Sequence, residues 1–324
     1  MRWDLLAGDE GNSLIDYIPG VPTLQPKDLP SFLQDQDPGS QYILELVLKS
    51  LQSSRGADWI LCNSFDELES TEMKLEPPVF HVGPLLPSGY LKGCDENIIR
   101  VGTNMRTEYD CSAWLNTKPN DSVIYVSFGS MIHLSKAQLE EVAMGLKDSG
   151  QPFLWVVRPD ILASTVSDCL PDGFLDEIGS QGLVIPWCNQ LRVLSHPSVA
   201  GFITHCGWNS MLESIAFGVP MLGFPAWSEQ YTNCKLMADE WKIGIRLKGC
   251  ARHASESKMV AREEICGAIR KLLSDEGKKM KIYVEALSNS AKTATMDGGS
   301  SHQNIETFVQ ALKATRTKLM KTVD

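Results

Sequence analysis

From about residue 120 onward, short apolar runs alternate with segments in which apolar residues recur every three or four positions. Runs of Val, Ile and Phe that contain almost no polar position are typical of strands covered on both faces, and their alternation with helices is typical of a parallel sheet. The pattern predicts six strands: Val123–Phe128, Phe153–Val157, Leu183–Trp187, Ala200–Thr204, Met221–Phe224 and Ile243–Leu247. The expected fold class is therefore α/β, with a six-stranded parallel sheet.

The segments between these strands have helical periodicity. The clearest helix is Ser135–Lys147, because Ser135 is suited to cap its N-terminus and apolar residues recur along one face. Further helices are predicted at Gln190–Leu194, Asn209–Ala216, Glu229–Trp241, Arg262–Leu273 and Lys281–Ala294. A last amphipathic helix, Ser301–Lys318, carries an apolar stripe made of Ile305, Phe308, Val309 and Leu312. We expect this stripe to pack against another part of the fold.

The first hundred residues have a different pattern. After a proline-rich extended opening they predict one helix, Gln41–Gln52, and one strand, Trp59–Asn63. Residues 77–92 contain four prolines and are typical of a linker between domains. Since one strand does not make a sheet, residues 1–80 are expected to be part of a domain whose beginning lies outside this chain.

Charge and composition limit the classes of partner that the chain is expected to bind. The chain has 324 residues, with 30 Lys+Arg against 40 Asp+Glu, which gives a formal net charge of −10 and a pI of about 5.2. This balance disfavours nucleic acid and anionic membrane surfaces, because both require clustered positive charge. The longest apolar stretch, Ile215–Trp227, is interrupted by Gly and Pro residues and is too short to span a bilayer. We therefore expect no nucleic-acid partner and no stable membrane insertion.

The cysteines and the N-terminus indicate the compartment. Nine cysteines occur without CxxC spacing, which predicts neither a zinc site nor a disulfide framework. The first twenty residues carry Asp4, Asp9 and Glu10 and lack the apolar core of a signal peptide. The expectation is a cytoplasmic protein without a metal site.

Candidate chemistry lies in one 44-residue stretch that starts at Trp187. In open α/β sheets, ligands bind beyond the carboxyl ends of the strands, which is where Trp187 and His205 fall. Gly207 permits a tight turn, and Asn209 and Ser210 are suited to cap the helix that follows. Free N–H groups at such a helix start, with the positive end of its dipole, form a site for phosphate groups.

Other side chains of the same stretch are suited to bind an aromatic base and sugar hydroxyl groups. Trp187 offers a planar face on which a base can stack, and Glu213 can accept hydrogen bonds from a sugar diol. Glu229 and Gln230 supply an acceptor and an amide for hydroxyl groups. Taken singly, each residue has an ordinary structural interpretation as a core aromatic, a helix cap or a solvated acid. Their occurrence at consecutive strand ends favours a binding pocket.

The stretch Trp187–Gln230 resembles the signature box of the plant UDP-dependent glycosyltransferases, which begins with Trp, passes through His-Cys-Gly-Trp-Asn-Ser and ends in an acid followed by Gln. The similarity extends beyond the box to Asp28-Leu29-Pro30, Asn63–Glu69, Trp114-Leu115-Asn116, Ser127–Ser130 and Gly298–Ser301. The resemblance implies family 1 of these enzymes and a GT-B fold, in which two Rossmann-like domains face each other across a cleft. It covers nearly the whole chain.

The same resemblance implies a domain organisation. Residues 1–80 would be a partial N-terminal domain that binds the acceptor, and residues 81–110 an interdomain linker. Residues 111–300 would be the domain that binds the UDP-sugar donor, and residues 301–324 a C-terminal helix that packs back toward the N-terminal domain. The chain would then lack the N-terminal part of its acceptor domain.

Each residue that matches the family motif carries an implied role. Trp187 would stack on uracil, the backbone of Cys188 would pair with the edge of the base, and Gln190 and Glu213 would hold the ribose. The implied contacts to the diphosphate come from Ser130, His205, Asn209 and Ser210, with Trp208 beside them. The implied sugar pocket contains Trp227, Glu229 and Gln230, and its terminal Gln favours glucose over galactose. The donor site also includes Asn189, Gly207 and Ser228.

The resemblance also implies a catalytic pair that the chain does not contain. Family members use a histidine near the N-terminus to deprotonate the acceptor hydroxyl and an aspartate to hold that histidine. A general base must lie within hydrogen-bond reach of its proton. None of the six histidines matches this position, namely His81, His133, His196, His205, His253 and His302. No catalytic residue is therefore identified.

The leading hypothesis is a UDP-glycosyltransferase that transfers a hexose to a hydroxyl of a small lipophilic acceptor. The hexose is expected to be glucose, because Gln230 is the terminal residue of the signature box. UDP-glucose or a related UDP-sugar would be a co-substrate, and no further cofactor is expected. The alternative is a noncatalytic pseudoenzyme that binds UDP-sugar. A nicotinamide-dependent oxidoreductase is disfavoured, because no GxGxxG follows a predicted strand.

Overall fold

The computed structural model describes residues 14–18, 21–69, 77–91, 108–159, 165–250 and 259–321. Its strands are β1 Ile60–Cys62, β2 Val79–His81, β3 Val123–Ser127, β4 Phe153–Val156, β5 Gly182–Ile185, β6 Val199–Thr204, β7 Met221–Gly223 and β8 Gly244–Arg246. Strands β3 to β8 form one sheet in the order β5-β4-β3-β6-β7-β8, and every neighbouring pair is parallel. All six strands predicted from the apolar runs are confirmed, with ends that differ by one or two residues.

Helices cover both faces of this sheet, chiefly α7 and α10 on one face and α4 and α9 on the other. The helices of the described residues are α1 Pro38–Ser54, α2 Ser88–Leu91, α3 Ser112–Leu115, α4 Lys136–Ser149, α5 Phe174–Ile178, α6 Gln190–Leu194, α7 Trp208–Ala216, α8 Gln230–Lys235, α9 Arg262–Leu272, α10 Asp275–Thr295 and α11 Ser300–Lys321. Helix α8 continues into a π-helical turn, Leu236–Glu240. Helix α10 starts at Asp275 rather than at the predicted Lys281, because Ser274 caps it by accepting a hydrogen bond from the Glu276 backbone N–H.

Strand β3 shows why the sheet is buried on both sides. Its side chains alternate between the two faces, so Tyr125 joins one apolar cluster while Ile124 and Val126 join another. Helices α7 and α10 contribute to the first cluster, and α4 and α9 contribute to the second. The near-continuous apolar composition of the strand follows from this double covering.

The N-terminal region contains one strand more than the sequence predicted. Strands β1 and β2 pair in parallel, with Ile60 opposite Val79. Strand β2 lies inside the segment interpreted as a linker, because its prolines precede and follow the strand without interrupting its hydrogen bonds. Residues 1–13, 19–20, 70–76 and 92–107 of the predicted acceptor domain and linker lie outside the described residues, as do 322–324 of the last helix.

Helix α11 contacts this two-stranded sheet. The Asn304 side chain donates a hydrogen bond to the His81 carbonyl at 2.8 Å, and the Ser301 hydroxyl donates to the Gly83 carbonyl at 2.7 Å. Phe308 packs edge-on against Trp59, with 6.2 Å between ring centroids. The other members of the predicted apolar stripe remain exposed, namely Ile305, Val309 and Leu312.

Candidate functional site

A cavity of about 420 Å³ lies at the carboxyl ends of the strands at the centre of the sheet. Parallel strands end at the same edge, so residues that are distant in sequence meet there. Eleven of the predicted site residues line it: Ser130, Trp187, Cys188, Asn189, Gln190, His205, Gly207, Trp208, Asn209, Ser210 and Glu213. The structure thus brings together the residues that the resemblance assigned to base, ribose and diphosphate.

The N-terminus of α7 opens into this cavity without a side-chain cap. The helix starts at Trp208 with Gly207 in the cap position, so Asn209 and Ser210 lie inside its first turn. The expectation that these two residues cap the helix was wrong. A Cβ at Gly207 would come within 2.4 Å of His205 Nε2, so the packing of the imidazole requires a glycine there, and the helix begins directly after it. The first-turn N–H groups have no partner within the helix and can bind an anion.

His205 packs between two glycines at the centre of the site. A Cβ at Gly129, which has a φ of +73°, would lie 2.6 Å from His205 Nε2 and Cε1. Among the described residues, the buried Nδ1 of His205 has no hydrogen-bond partner. Burial, and secondly the positive charge of Arg158, lower the pKa of His205 to about 4. The imidazole is therefore neutral at physiological pH and can donate one hydrogen bond and accept another.

Arg158 organises the loop that follows β3. Its guanidinium donates hydrogen bonds to the carbonyl of Ser130 at 2.7 Å and to that of Ile132 at 3.1 Å. This loop carries Gly129 and Ser130 at the cavity wall. Arg158 thus holds the loop from outside while its charge acts on the site.

A hydrogen-bond network connects the two residues assigned to the ribose. Gln190 donates from Nε2 to Glu213 Oε2 at 2.7 Å and to Ser210 Oγ at 3.0 Å, and its Oε1 accepts from the hydroxyl of Tyr125 at 3.1 Å. Burial raises the pKa of Glu213, and the Gln190 hydrogen bond offsets this in part. The carboxylate is therefore partly desolvated and held in one orientation, as an acceptor for hydroxyl groups should be.

Trp187 and Cys188 follow the end of β5 at the other wall of the cavity. The Trp187 carbonyl accepts a hydrogen bond from the Tyr109 backbone N–H at 3.0 Å, which fixes the backbone at this turn. Cys188 is buried, and its sulfur lies 3.8 Å from the hydroxyl of Tyr125. Next to them, Asn189 caps α6 by accepting from the Arg192 backbone N–H at 3.2 Å.

Two residues of the α7 start also bind the N-terminal region. The indole of Trp208 donates a hydrogen bond to the Asn63 carbonyl at 2.7 Å, and the Asn63 amide donates to Asn209 Oδ1 at 3.4 Å. These contacts hold the start of α7 against the turn after β1. Trp208 is the first residue of α7, and its ring nitrogen is already engaged by the Asn63 carbonyl.

The three residues predicted for the sugar pocket do not line this cavity, and neither does Ser228, which was predicted for the donor site. All four lie in residues 226–230, called the 226–230 loop below, which joins β7 to α8 and ends with the first residue of that helix. The four are Trp227, Ser228, Glu229 and Gln230. The loop follows β7, the neighbour of β6, and His205 comes directly after β6. The loop therefore lies next to the cavity rather than in its wall. These residues follow a strand, as predicted, and the tertiary structure leaves them outside the cavity that the other predicted residues line.

The other described histidines lie elsewhere. His81 on β2 is buried and pairs through Nδ1 with Asp66 Oδ1 at 2.9 Å. His196 bonds Asn116 and Ser198, His302 lies on α11, and His133 lines a separate cavity of about 60 Å³. His253 lies outside the described residues. Of the histidines that the structure describes, His205 alone lines the main cavity.

Six lining residues were not among the predicted site residues: Glu108, Tyr125, Ser127, Gly129, Val156 and Leu191. Ser127 and Gly129 belong to the motif after the first strand of the sheet, so the signal for them was present. Tyr125 was interpreted only as a strand residue, because nothing local distinguishes a tyrosine that faces a cavity edge from one in a core.

The described residues contain neither a candidate membrane-spanning helix nor a candidate metal cluster. In the ranges that the structure covers, no helix combines the length and apolar character needed to cross a membrane. Within the same ranges, no group of three or more His, Cys, Asp or Glu side chains is arranged to hold a metal ion.

Comparison with known proteins gives the same family from sequence and from structure. The family model "UDP-glucoronosyl and UDP-glucosyl transferase" matches residues 95–293. The chain is 38% identical to UDP-glycosyltransferase 86A1 of Arabidopsis thaliana over 94% of its own length and 60% of that relative. It is 41% identical to mogroside I-E synthase of Siraitia grosvenorii over 92% of its length and 65% of the relative. The chain thus spans less than two thirds of these relatives.

Solved structures agree with the fold. The structure of Phytolacca americana UGT2 complexed with UDP-2fluoro-glucose and pterostilbene matches 94% of this chain and 64% of its own, with a TM-score of 0.77 and 36% identity. Os79 from O. sativa in complex with UDP matches 89% of this chain and 63% of its own, with a TM-score of 0.75 and 32% identity. The expected α/β fold of the GT-B type is confirmed. A match of the family model over more than half of the chain, with the same fold, shows that this chain belongs to the UDP-glucoronosyl and UDP-glucosyl transferases.

Proposed function

We propose that the chain binds a UDP-hexose at the cavity at the strand ends and transfers the hexose to a hydroxyl of a small lipophilic acceptor. The observation that carries this proposal is the convergence of three kinds of group on one cavity. They are the aromatic Trp187, the uncapped N-terminus of α7 beside neutral His205, and the oriented Glu213 carboxylate. The aromatic ring suits a base, the helix N-terminus suits a diphosphate, and the carboxylate suits the hydroxyl groups of a ribose.

Glucose is the proposed sugar, and a cytoplasmic location is part of the proposal. Support for glucose comes from Gln230, the terminal residue of the signature box, and from the fluoro-glucose donor in the Phytolacca americana structure. Support for the acceptor class comes from the pterostilbene in that structure. The eight cysteines that the structure describes form no disulfide, as is usual in a reducing compartment.

The alternative is a protein that binds UDP-sugar without transferring it. It is favoured by one observation on the described residues: the single histidine at the cavity, His205, packs against the phosphate-binding turn and has a lowered pKa. A general base for the acceptor would have to come from another position. Both proposed functions use the same donor site, and they differ in whether the hexose is transferred to an acceptor.

A calorimetric titration with UDP, with ADP and NAD as controls, tests the shared part. Selective binding of UDP supports the donor site, whereas equal binding of UDP and ADP, or no binding by a folded chain, contradicts it. Release of UDP from UDP-glucose in the presence of a panel of hydroxylated phenols and terpenoids then tests transfer. Selective UDP binding without acceptor-dependent release would favour the noncatalytic alternative.

A further inference from the structure

The 226–230 loop holds its own amide side chain in one orientation. Gln230 Oε1 accepts hydrogen bonds from the backbone N–H groups of Ala226 and Trp227, both at 3.0 Å, and the Tyr231 hydroxyl donates to the Ala226 carbonyl at 3.0 Å. Because two N–H donors engage the amide oxygen, the NH₂ group is the part of Gln230 that can serve a ligand. The loop thus fixes the orientation of the Gln230 amide and leaves its NH₂ group as the hydrogen-bond donor.

Ser228, at the centre of the loop, has a left-handed backbone. Its φ is +56°, a region that residues with a Cβ occupy only at a steric cost. Such a conformation persists when the surroundings hold it, and it is enriched at functional sites. The contacts that hold Ser228 in this conformation come from the N-terminal region.

Ser31 supplies that support from the N-terminal region. Its hydroxyl oxygen accepts a hydrogen bond from the Ser228 backbone N–H at 2.9 Å, and its own backbone N–H donates to the Ser228 carbonyl at 3.1 Å. The pair satisfies both backbone groups of the strained residue. Ser31 is only 2% exposed, so water cannot replace its hydroxyl easily.

The segment that carries Ser31 is itself anchored on the sheet that bears the site. Asp28, which is 1% exposed, forms an ion pair with Arg246 on β8 and accepts from the Gln25 backbone N–H at 3.0 Å. The Thr232 hydroxyl on α8 donates to the Asp28 carbonyl at 2.6 Å. Ser31 is thus fixed relative to β8 and α8, and it transmits this position to the loop between β7 and α8.

We propose that Ser31 is a positioning residue for the sugar part of the donor, which acts by holding Ser228 in its left-handed conformation. The loop then directs Glu229 and Gln230 toward the hexose hydroxyls. This inference rests on the proposed function and deepens it from nucleotide binding to recognition of the hexose. A residue of the N-terminal region would in this way determine how well the donor domain recognises its sugar.

The test compares the dissociation constants of UDP and UDP-glucose in the wild type, in Ser31→Ala and in Ser149→Ala. Ser149 is a matched control, because it is also buried and its hydroxyl also accepts a backbone N–H, that of Gln151, at the opposite edge of the sheet. In Ser31→Ala we expect the ratio of the UDP-glucose constant to the UDP constant to rise about tenfold, the scale of one buried hydrogen bond. The dissociation constant for UDP should stay within about twofold of the wild-type value. Ser149→Ala should change neither the UDP constant nor the ratio.

Two further variants exclude a merely structural effect. Ser228→Gly adopts the left-handed backbone without support, so in that background Ser31→Ala should change the ratio much less. Should circular dichroism show that Ser31→Ala does not fold, Ser31→Cys replaces it, because cysteine is nearly isosteric and a weaker acceptor. An equal effect of Ser31→Ala in both backgrounds would contradict the proposed coupling.

The outcomes separate this inference from the proposed function. If UDP and UDP-glucose weaken in parallel, or if the ratio does not change in a folded Ser31 variant, the role of Ser31 is overturned while UDP binding stands. If the folded wild type binds no UDP, the proposed function fails, and the inference that rests on it fails as well.

Discussion

Gln190 and Glu213 are joined by a hydrogen bond of 2.7 Å between Nε2 and Oε2, across the gap between α6 and α7. The same nitrogen also bonds Ser210 Oγ at 3.0 Å. The two helices start beyond different strands, so this contact exists only in the folded chain. The hydrogen bond holds the Glu213 carboxylate in one orientation before a ligand binds. This lowers the conformational entropy that the side chain would otherwise lose on binding.

Replacement of Glu213 should weaken the binding of UDP. If its carboxylate accepts hydrogen bonds from the ribose diol, Glu213→Ala should cost roughly 1.5–3 kcal/mol of binding free energy, the scale of hydrogen bonds to charged groups. Glu213→Gln, which keeps the shape and one acceptor oxygen, should lose less. Isothermal calorimetry with UDP measures both, and unchanged affinity in a folded Glu213→Ala would remove this residue from the site.

The affinity for UDP should also depend on pH through Glu213. Burial raises the pKa of this carboxyl, so it takes up a proton at a higher pH than an ordinary glutamate does. As the pH falls, UDP binding should therefore begin to weaken above the usual glutamate range. Titrations between pH 8 and pH 5 in wild type and Glu213→Gln check this, and the variant should show a flatter profile. Identical profiles would contradict the role of the carboxylate.

Gly129 should be indispensable for the site, whereas Gly150 should matter only for the backbone. Both have left-handed φ angles, +73° and +71°, so alanine at either position should cost about 1–2 kcal/mol of stability. Only at Gly129 would the new Cβ meet the His205 ring, at 2.6 Å, while nothing lies within 4 Å of a Cβ at Gly150. We therefore expect Gly129→Ala to lose UDP affinity about tenfold or more in calorimetric titrations. Equal affinity in the two variants would contradict the steric argument.

His205 should contribute a pH-dependent part of the free energy of unfolding. Its pKa of about 4 in the folded state lies below the ordinary histidine value of 6.5, mainly because of burial and secondly because of Arg158. A group with a depressed folded pKa contributes stability above its unfolded pKa, and this contribution is lost as the pH falls from 6.5 toward 4.

Urea unfolding between pH 7 and pH 4.5 measures this contribution. The wild type should lose more stability over that range than His205→Gln, which cannot titrate. His302→Gln, at a partly exposed histidine on α11, serves as the control and should follow the wild type. A wild-type loss no larger than that of His205→Gln would show that the imidazole is not buried in its neutral form.

The ion pair between Asp28 and Arg246 should stabilise the attachment of the N-terminal segment. Asp28 is 1% exposed, so Asp28→Asn would leave the Arg246 guanidinium partly buried without a countercharge, at a cost of about 3 kcal/mol. The double variant Asp28→Asn with Arg246→Met should recover part of this loss, since no uncompensated charge remains. Urea unfolding of the wild type, of Asp28→Asn and Arg246→Met singly, and of the double variant measures the coupling, and strictly additive effects would argue against the pair.

Local patterns predicted most of the sheet and its helices. Apolar runs such as Val123–Phe128 identify buried strands, because a strand covered on both faces needs apolar side chains at every position. Strand β2 was missed for the complementary reason, since three residues between prolines carry too little periodicity to be distinguished from a loop. The cap of α7 was placed wrongly on Asn209 and Ser210, because the requirement for Gly207 comes from contact with the His205 ring.

By itself, the sequence determined the fold class, the six parallel strands and the membership of one motif in a family, because periodicity and short motifs are local properties of the chain. Only the tertiary structure decided which motif residues share a cavity, that Tyr125 joins the Gln190 network, and that Ser31 supports Ser228. Those contacts join residues 65 and 197 positions apart. Their existence depends on how strands and helices pack, and no pattern within a single segment encodes that packing.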